Sequence, residues 1–462
     1  MKTSKSAGDA PNMSLFQPSL FEQSTRVKIV LNEDHELVKL SHLVNWTMLI
    51  TLAASIRASK VKKETGPEPQ YRALLGALAL MAMRKMTYRE AEDMVAHYAP
   101  ARYLCGLMDS DRTLDHVTIF EFMAMLGADG VEKANTMILG TAQKHKLLDS
   151  SELMSDTTAQ EAMIPYPNEV GLMARFMRLV QKTVGRLGGK FAGIKATVKD
   201  AVAKVKGLVR NSHLFAKTKE QKTKVGKKLY HTVKKVHAEI ADLLAEGYKL
   251  SSSAGQELTE VTKVMGQLMP QILHFFTTGF VASKKIIHLQ MSDLYSIVRG
   301  KAGKRVEFGL KWGINRLGGG FLQGFLLAGG KHASDQRFCI EALKRHQAVF
   351  GAAPKVFGYD RGGYSQSNIK RATKMGVTHV GIAPQGKAPW AVSEKMAERI
   401  RRKRAQVEGG IGTIKAPIYG FNKPNARSTA AMARCGQRAI LGFNMRKLVR
   451  EWTAMQVAAV GG

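Results

Sequence analysis

From Leu229 to Phe275 the apolar residues recur at alternating steps of three and four, and from residue 304 onward the period shortens to that of a strand. A chain that changes period in this way must join a helical body to a strand-containing one, because neither pattern can bury its apolar face in the other's geometry. The helical run has two parts. Leu229, Val233, Val236, Ile240 and Leu243 form one seam, and Leu258, Val261, Met265, Leu268, Ile272 and Phe275 form the next. Each is a coiled-coil-type stripe. Gly247–Gln256 (GYKLSSSAGQ) separates them with turn chemistry, and Pro270 is expected to kink the second helix. The two stripes read as an antiparallel helical hairpin.

The remainder of the chain divides on the same logic. Residues 37–145 read as helical. Thr87 followed by Glu90 is a capping box, and Asp115, His116 and Thr118 open a helix over Ile119–Leu126. Short helices with scattered Arg suit either a helix-turn-helix-like DNA reader or a plain packing domain. Leu153–Thr158 (LMSDTT) is a strand with a carboxylate in its middle. Val306–Ile314 and Phe321–Leu327 flank the Gly-rich turn Asn315–Gly320 as a hairpin, and Ser334–Val349 is a helix. Lys355–Tyr359 is a strand ending at Asp360. Gln366–Met375, Val377–Ala383 and Ser393–Glu408 follow as helix, strand and basic helix. This order predicts an α/β fold: a ribonuclease-H-like mixed sheet with an all-α domain before it and the helical segment inserted after its first strand. The corresponding division is a flexible segment at 1–35, a helical DNA-binding domain at 36–145, a discontinuous catalytic domain at 150–167 and 292–455, and a basic insertion at 168–291.

Charge narrows the partners. Seventy Lys and Arg against thirty-seven Asp and Glu give a net +33 over 462 residues. So large an excess opposes compaction and calls for a polyanion, with nucleic acid ahead of a membrane surface. The longest apolar run, Leu74–Met83, is about half the length of a spanning helix. Between residues 171 and 250 nineteen Lys or Arg accompany five Asp or Glu. The helical hairpin there either touches DNA or is a pair of solvated helices. Cys105, Cys339 and Cys435 make no Cys-x-x-Cys pair, and the thirteen His show no zinc-protease spacing. Residues 1–25 carry no secretory pattern, so a cytoplasmic, nucleoid-associated protein is expected.

Three carboxylates stand where phosphodiester chemistry would use them: Asp156 inside the first strand, Asp360 at the end of a later strand, and Glu408 on the last helix of the core. Cutting DNA requires an activated water or 3′-hydroxyl and a stabilised leaving oxygen, which two divalent ions on hard oxygen ligands provide. Asp149, Asp335 and Glu307 are competing carboxylates, set aside as lying before the strand, in a helix N-cap region and in an EFG stretch respectively.

Longer motifs sharpen this reading. HLVNW at 42–46, RALLGALALMAMRKMTYREAEDMV at 72–95, LDHVTIFEF at 114–122, SDTTAQEAMIPYPNEVGLM at 155–173, GKAGKRVEFGLKWGI at 300–314, YDRGGYS at 359–365 and RAQVEGGIGTIK at 404–415 together resemble bacterial insertion-sequence transposases of the DDE type with an InsH-like N-terminal domain. The wider clan carries Tyr-x2-Arg-x3-Glu-x6-Lys on one helix. Arg404, Glu408 and Lys415 fit that spacing, whereas the Tyr position is Arg401, and Gly363 stands where an aromatic often follows Gly362, with Tyr364 next. Gly409, Gly410 and Gly412 weaken the helix beyond Glu408. The resemblance implies that Asp156 bridges two Mg²⁺ ions (Mn²⁺ as a substitute), that Asp360 and Glu408 each bind one, and that Arg361, Tyr364, Arg401, Arg404 and Lys415 contact DNA. It also implies cleavage at terminal inverted repeats, joining of 3′ ends to double-stranded target DNA, and a homodimeric synaptic complex, with no membrane involved. A non-catalytic DNA-binding derivative, or a metal-dependent endonuclease without strand transfer, would share these motifs.

Overall fold

The computed structural model describes residues 29–61, 68–245, 252–298, 306–329, 331–384, 386 and 389–460. Most of the segment expected to be flexible, the Gly247–Ser251 part of the expected turn and residues 300–305 lie outside them. The fold is mixed α/β. Six helices come first: α1 (Glu36–Leu43), α2 (Trp46–Lys60), α3 (Tyr71–Met83), α4 (Tyr88–His97), α5 (Ala99–Leu104) and α6 (His116–Lys144). Helix α3 has no side-chain N-cap, yet every one of its residues except Arg72 is buried. Burial of a Leu or Met contributes about 1.5–3 kcal/mol, more than the roughly 1 kcal/mol of a missing cap, so packing holds this helix. Its apolar run is a core element. Among the described residues no single helix is long and apolar enough to cross a membrane. The expected capping box of α4 is present, with Thr87 accepting from the Glu90 amide and Glu90 from the Thr87 amide. Helix α6 begins at its Asp115 cap but runs well past Leu126. At Gly127, directly after the expected end at Leu126, the backbone leaves the helical region (φ +68°, ψ −171°), and a second helical stretch follows to Lys144.

The sheet has six strands: β1 (Asp149–Glu161), β2 (Tyr295–Val298), β3 (Val306–Gly318), β4 (Leu322–Phe325), β5 (Val356–Tyr359) and β6 (His379–Ile382). Their order is β2-β3-β1-β5-β6, with β4 also on β3. β1 is antiparallel to β3 and parallel to β5, and β5 is parallel to β6. The turn between β3 and β4 is tighter than expected. Asn315 and Arg316 stay in the ladder opposite Gln323 and Leu322, and Gly319 and Gly320 turn the chain at φ +81° and +88°.

Four later helices cover the sheet: α11 (Asp335–Phe350), α12 (Gln366–Lys374), α13 (Glu394–Ile414) and α14 (Thr429–Val460). Helix α13 continues through Gly409, Gly410 and Gly412, past the expected weakening. One hydrophobic core runs from α1–α6 into the α11 side of the sheet, through Leu153, Phe338 and Phe357. On the other face Met154 packs with Ile400 and Val407 of α13. Helix α14 ties the layers together. Asn444 donates to Asn135 Oδ1 (2.7 Å) and Leu322 O (2.6 Å), and accepts from the Leu322 amide (2.9 Å).

Between β1 and β2 the chain forms four helices instead of the expected two: α7 (Glu169–Arg186), α8 (Lys195–Leu214), α9 (Lys219–Ala245) and α10 (Ser253–Thr278). The two seams read from the sequence are buried among them, joined by Phe176, Val180 and Val202. Ser253–Gln256, read as turn, already belong to α10 under a Ser252 cap, and Pro270 lies within that helix.

Candidate active site

The site begins with register. Met154 on β1 pairs with Gly358 on parallel β5. Carrying that register two residues onward puts Asp156 beside Asp360, which follows the last residue of β5. Alternation along β1 places Asp156 on the face of Met154, the face that α13 covers. Gly358 lets α13 come close, since a Cβ there would sit 2.4 Å from Met154 Sδ and 2.9 Å from Ile400 Cγ2. Glu152, buried on β1, anchors the helix by ion pairs to Arg399 and to Lys403 (3.1 Å). Arg404 is thereby held over the strand ends, and its guanidinium favours the charged form of both Asp156 and Asp360.

The electrostatics are those of crowded carboxylates. Burial, reinforced by the Asp360 charge, pushes Asp156 up from 3.8 to about 6, partly offset by the Thr157 amide and Arg404. Burial first, then Asp335, raises Asp360, while Arg404 and the Gly362 and Gly363 amides lower it. The Gly362 amide donates to Asp360 Oδ1 at 3.0 Å and fixes the loop bearing Arg361. Among the described residues neither the buried Arg404 Nε nor the Tyr359 hydroxyl has a hydrogen-bond partner.

Asp335, set aside from the sequence, lies at this site. Its Oδ1 accepts from Thr157 Oγ1 (2.9 Å) and pairs with Lys311 Nζ (2.8 Å), and its carboxylate leaves no room for a Cβ at Gly362. The helix-capping pattern Ser-Asp explained it adequately in one dimension; only folding brings the α11 N-terminus against β1. Lys311 and Tyr359 carried no signal in the sequence. The other two competitors lie elsewhere: Asp149 is the first residue of β1 and accepts from Ser151, and Glu307 is buried on β3 opposite Ile297.

The remaining expected residues are placed unequally. Glu408 is exposed on α13, one turn beyond Arg404. Arg401 pairs with Glu394 (2.9 Å) and lies over the Trp390 ring (5.1 Å), a local arrangement distinct from that of Arg404. Arg361 is exposed in the loop after Asp360, Tyr364 is half-buried with its hydroxyl accepting from Gln366, and Lys415 caps the end of α13. Asp156, Asp360 and Glu408 do not bring their ligand atoms within 4.8 Å of one another as a set. Among the described residues only Glu92, Asp115 and His116 do so. Those three already serve structure: Asp115 caps α6, and His116 Nδ1 lies 2.8 Å from Glu92 of α4.

No curated protein and no solved structure matches the chain. Residues 25–124, which include helices α1–α5 and the opening of α6, match the model of the family described as Transposase domain (DUF772), and this match supports a transposase family with DNA as the partner.

Proposed function

We propose that this chain is a transposase of the DDE type, which cleaves DNA at the ends of a mobile element and joins the 3′ ends to target DNA. The observation that carries the reading is the side-by-side placement of Asp156, inside β1, and Asp360, at the end of parallel β5, under Arg404. What supports a ribonuclease-H-like core is the antiparallel β1–β3–β4 arrangement continued by parallel β5 and β6, with helices between the later strands.

Two adjacent, half-buried carboxylates disfavour each other's ionisation, and divalent cations would reverse that penalty. A donor set of hard carboxylate oxygens fits Mg²⁺, with Mn²⁺ as a substitute. Asp156, Asp360 and Glu408 would hold such ions. When bound, such ions activate the attacking oxygen and stabilise the leaving one. Arg404 contributes a fixed guanidinium beside the scissile phosphate, where negative charge grows in the transition state. Arg361, Tyr364, Arg401 and Lys415 would meet the backbone around it. Helices α1–α6 would hold the terminal inverted repeats, and two copies would pair the ends.

Asp156→Asn tests the reading. It should abolish Mg²⁺-dependent cleavage of end DNA and leave binding largely intact, because affinity comes from Lys and Arg neutralising phosphates. Cleavage near the wild-type rate would remove Asp156 from the centre. Strand transfer to a second duplex by the wild type separates a transposase from an endonuclease with the same ligands.

A further inference from the structure

The helices between β1 and β2 carry a surface that the chemistry above does not use. All thirteen Lys and Arg from residue 195 to 245 are exposed, and none has an ion pair with a carboxylate among the described residues. Their apolar sides point into the bundle, so the cations are collected on its outside. A groove between α8 and α9 is lined by Lys204 and Asp200 from one helix and by Lys228, His231, Lys235 and Glu239 from the other, so cations outnumber carboxylates in it. Lys224 lies one turn before Lys228 on the same side of α9. Such a concentration of like charge is self-repelling unless a polyanion lies along it.

We propose that this α8–α9 face grips duplex DNA by its phosphate backbone without reading sequence. The inference rests on the reading that the chain acts on DNA. Three observations select this occupant. Twelve of the thirteen cations are Lys and one, Arg210, is Arg. Base recognition in the major groove depends largely on the bidentate fork of Arg, whereas Lys serves as a point charge for phosphate. A single strand would need a row of aromatic platforms, but Tyr230 is buried and the face offers one exposed ring, Phe215 at the end of α8. An anionic membrane would need an apolar face free to insert, and those of α8 and α9 are covered by α7 and α10. The bundle also follows the carboxyl end of β1, the strand that carries Asp156.

The experiment measures how the dissociation constant of the full-length protein varies with salt. Two duplexes of equal length and unrelated sequence, and one single strand, serve as probes, without divalent metal. In the variant Lys204→Gln, Lys224→Gln, Lys228→Gln, Lys235→Gln the log–log slope should fall by about three to four units, since each lost contact with duplex phosphate removes about 0.9. The loss should be equal for both duplexes. Changing the same four residues to Arg should keep the wild-type slope, which separates charge from folding. An unchanged slope in the Gln variant, a loss confined to one sequence, or tighter binding of the single strand would each overturn the proposal. Absence of duplex binding by the wild type would overturn the DNA reading itself. Retained slope loss with normal cleavage by Asp156→Asn would overturn the catalytic assignment alone.

Discussion

At the scale of single residues, the centre is a balance between burial and charge. Asp156 raised from 3.8 to about 6 binds its proton more tightly in the folded chain than in the unfolded one. Its contribution to stability is therefore fully present below about pH 3.8 and is lost as pH rises through about 6. A shift of that size corresponds to about 3 kcal/mol. Asp156→Asn removes the ionisable group, so in metal-free buffer it should stabilise the protein at pH 7.5 by up to about 3 kcal/mol and change little at pH 4. Denaturant unfolding at the two pH values measures this, and equal effects at both would mean that the carboxylate is not held in a disfavoured state. Arg404 and Arg401 allow a second comparison, because one faces the aspartates while the other is occupied by Glu394 and Trp390. In a single-turnover cleavage assay with pre-bound DNA, Arg404→Ala should slow the reaction by roughly 10² to 10³, about 3–4 kcal/mol. Arg401→Ala should change the rate little, as exposed ion pairs contribute under about 1 kcal/mol. A normal rate for Arg404→Ala would detach α13 from the chemistry.

At the scale of elements, close backbone approach decides where α14 can lie. A Cβ on Gly442 would stand 1.8 Å from Ala82 O and 2.4 Å from its carbonyl carbon. Neither atom is the end of a flexible side chain, so relief requires α14 and α3 to separate. Gly442→Ala should destabilise the protein by about 2–3 kcal/mol despite the better helix propensity of Ala. A melting temperature at or above that of the wild type would mean that the two helices are not held at this distance. Helix α14 was not legible as an element in the sequence. It buries residues toward α3, α6 and β4 in turn, so its apolar side chains do not gather in one stripe. The seams of α9 and α10 were legible because each faces a single apolar interior.

At the scale of the molecule, the hydrophobic cores are distributed unevenly. The leading helices and the α11 face of the sheet share one core, while α7–α10 enclose their own. Packing of Tyr166, just before α7, on Phe308 of β3 connects the bundle to the sheet, and Lys285 pairs with Glu169 where the chain enters and leaves the bundle. Those are small contacts beside a buried core, so the bundle should unfold as a separate cooperative unit. All four Trp, at 46, 312, 390 and 452, lie outside it. Far-ultraviolet circular dichroism should therefore show a transition in denaturant that Trp fluorescence does not follow. Coincident curves would mean that the two cores are coupled.

What the sequence determined by itself is the local chemistry: the capping box of α4, the seams of α9 and α10, the strand carrying Asp156, the strand ending at Asp360, and the basic excess of the insertion. These depend on neighbours a few residues apart, so period and capping preferences suffice to find them. The tertiary structure decided which carboxylates meet. Asp156 and Asp360 are neighbours because β1 and β5 pair in one parallel register, and Asp335 joins them because the start of α11 lands against Thr157. It also decided that Arg404 and Arg401, three residues apart on one helix, serve different surroundings. Each of these contacts closes a loop of many residues, and their geometry depends on long-range packing that no local spacing encodes.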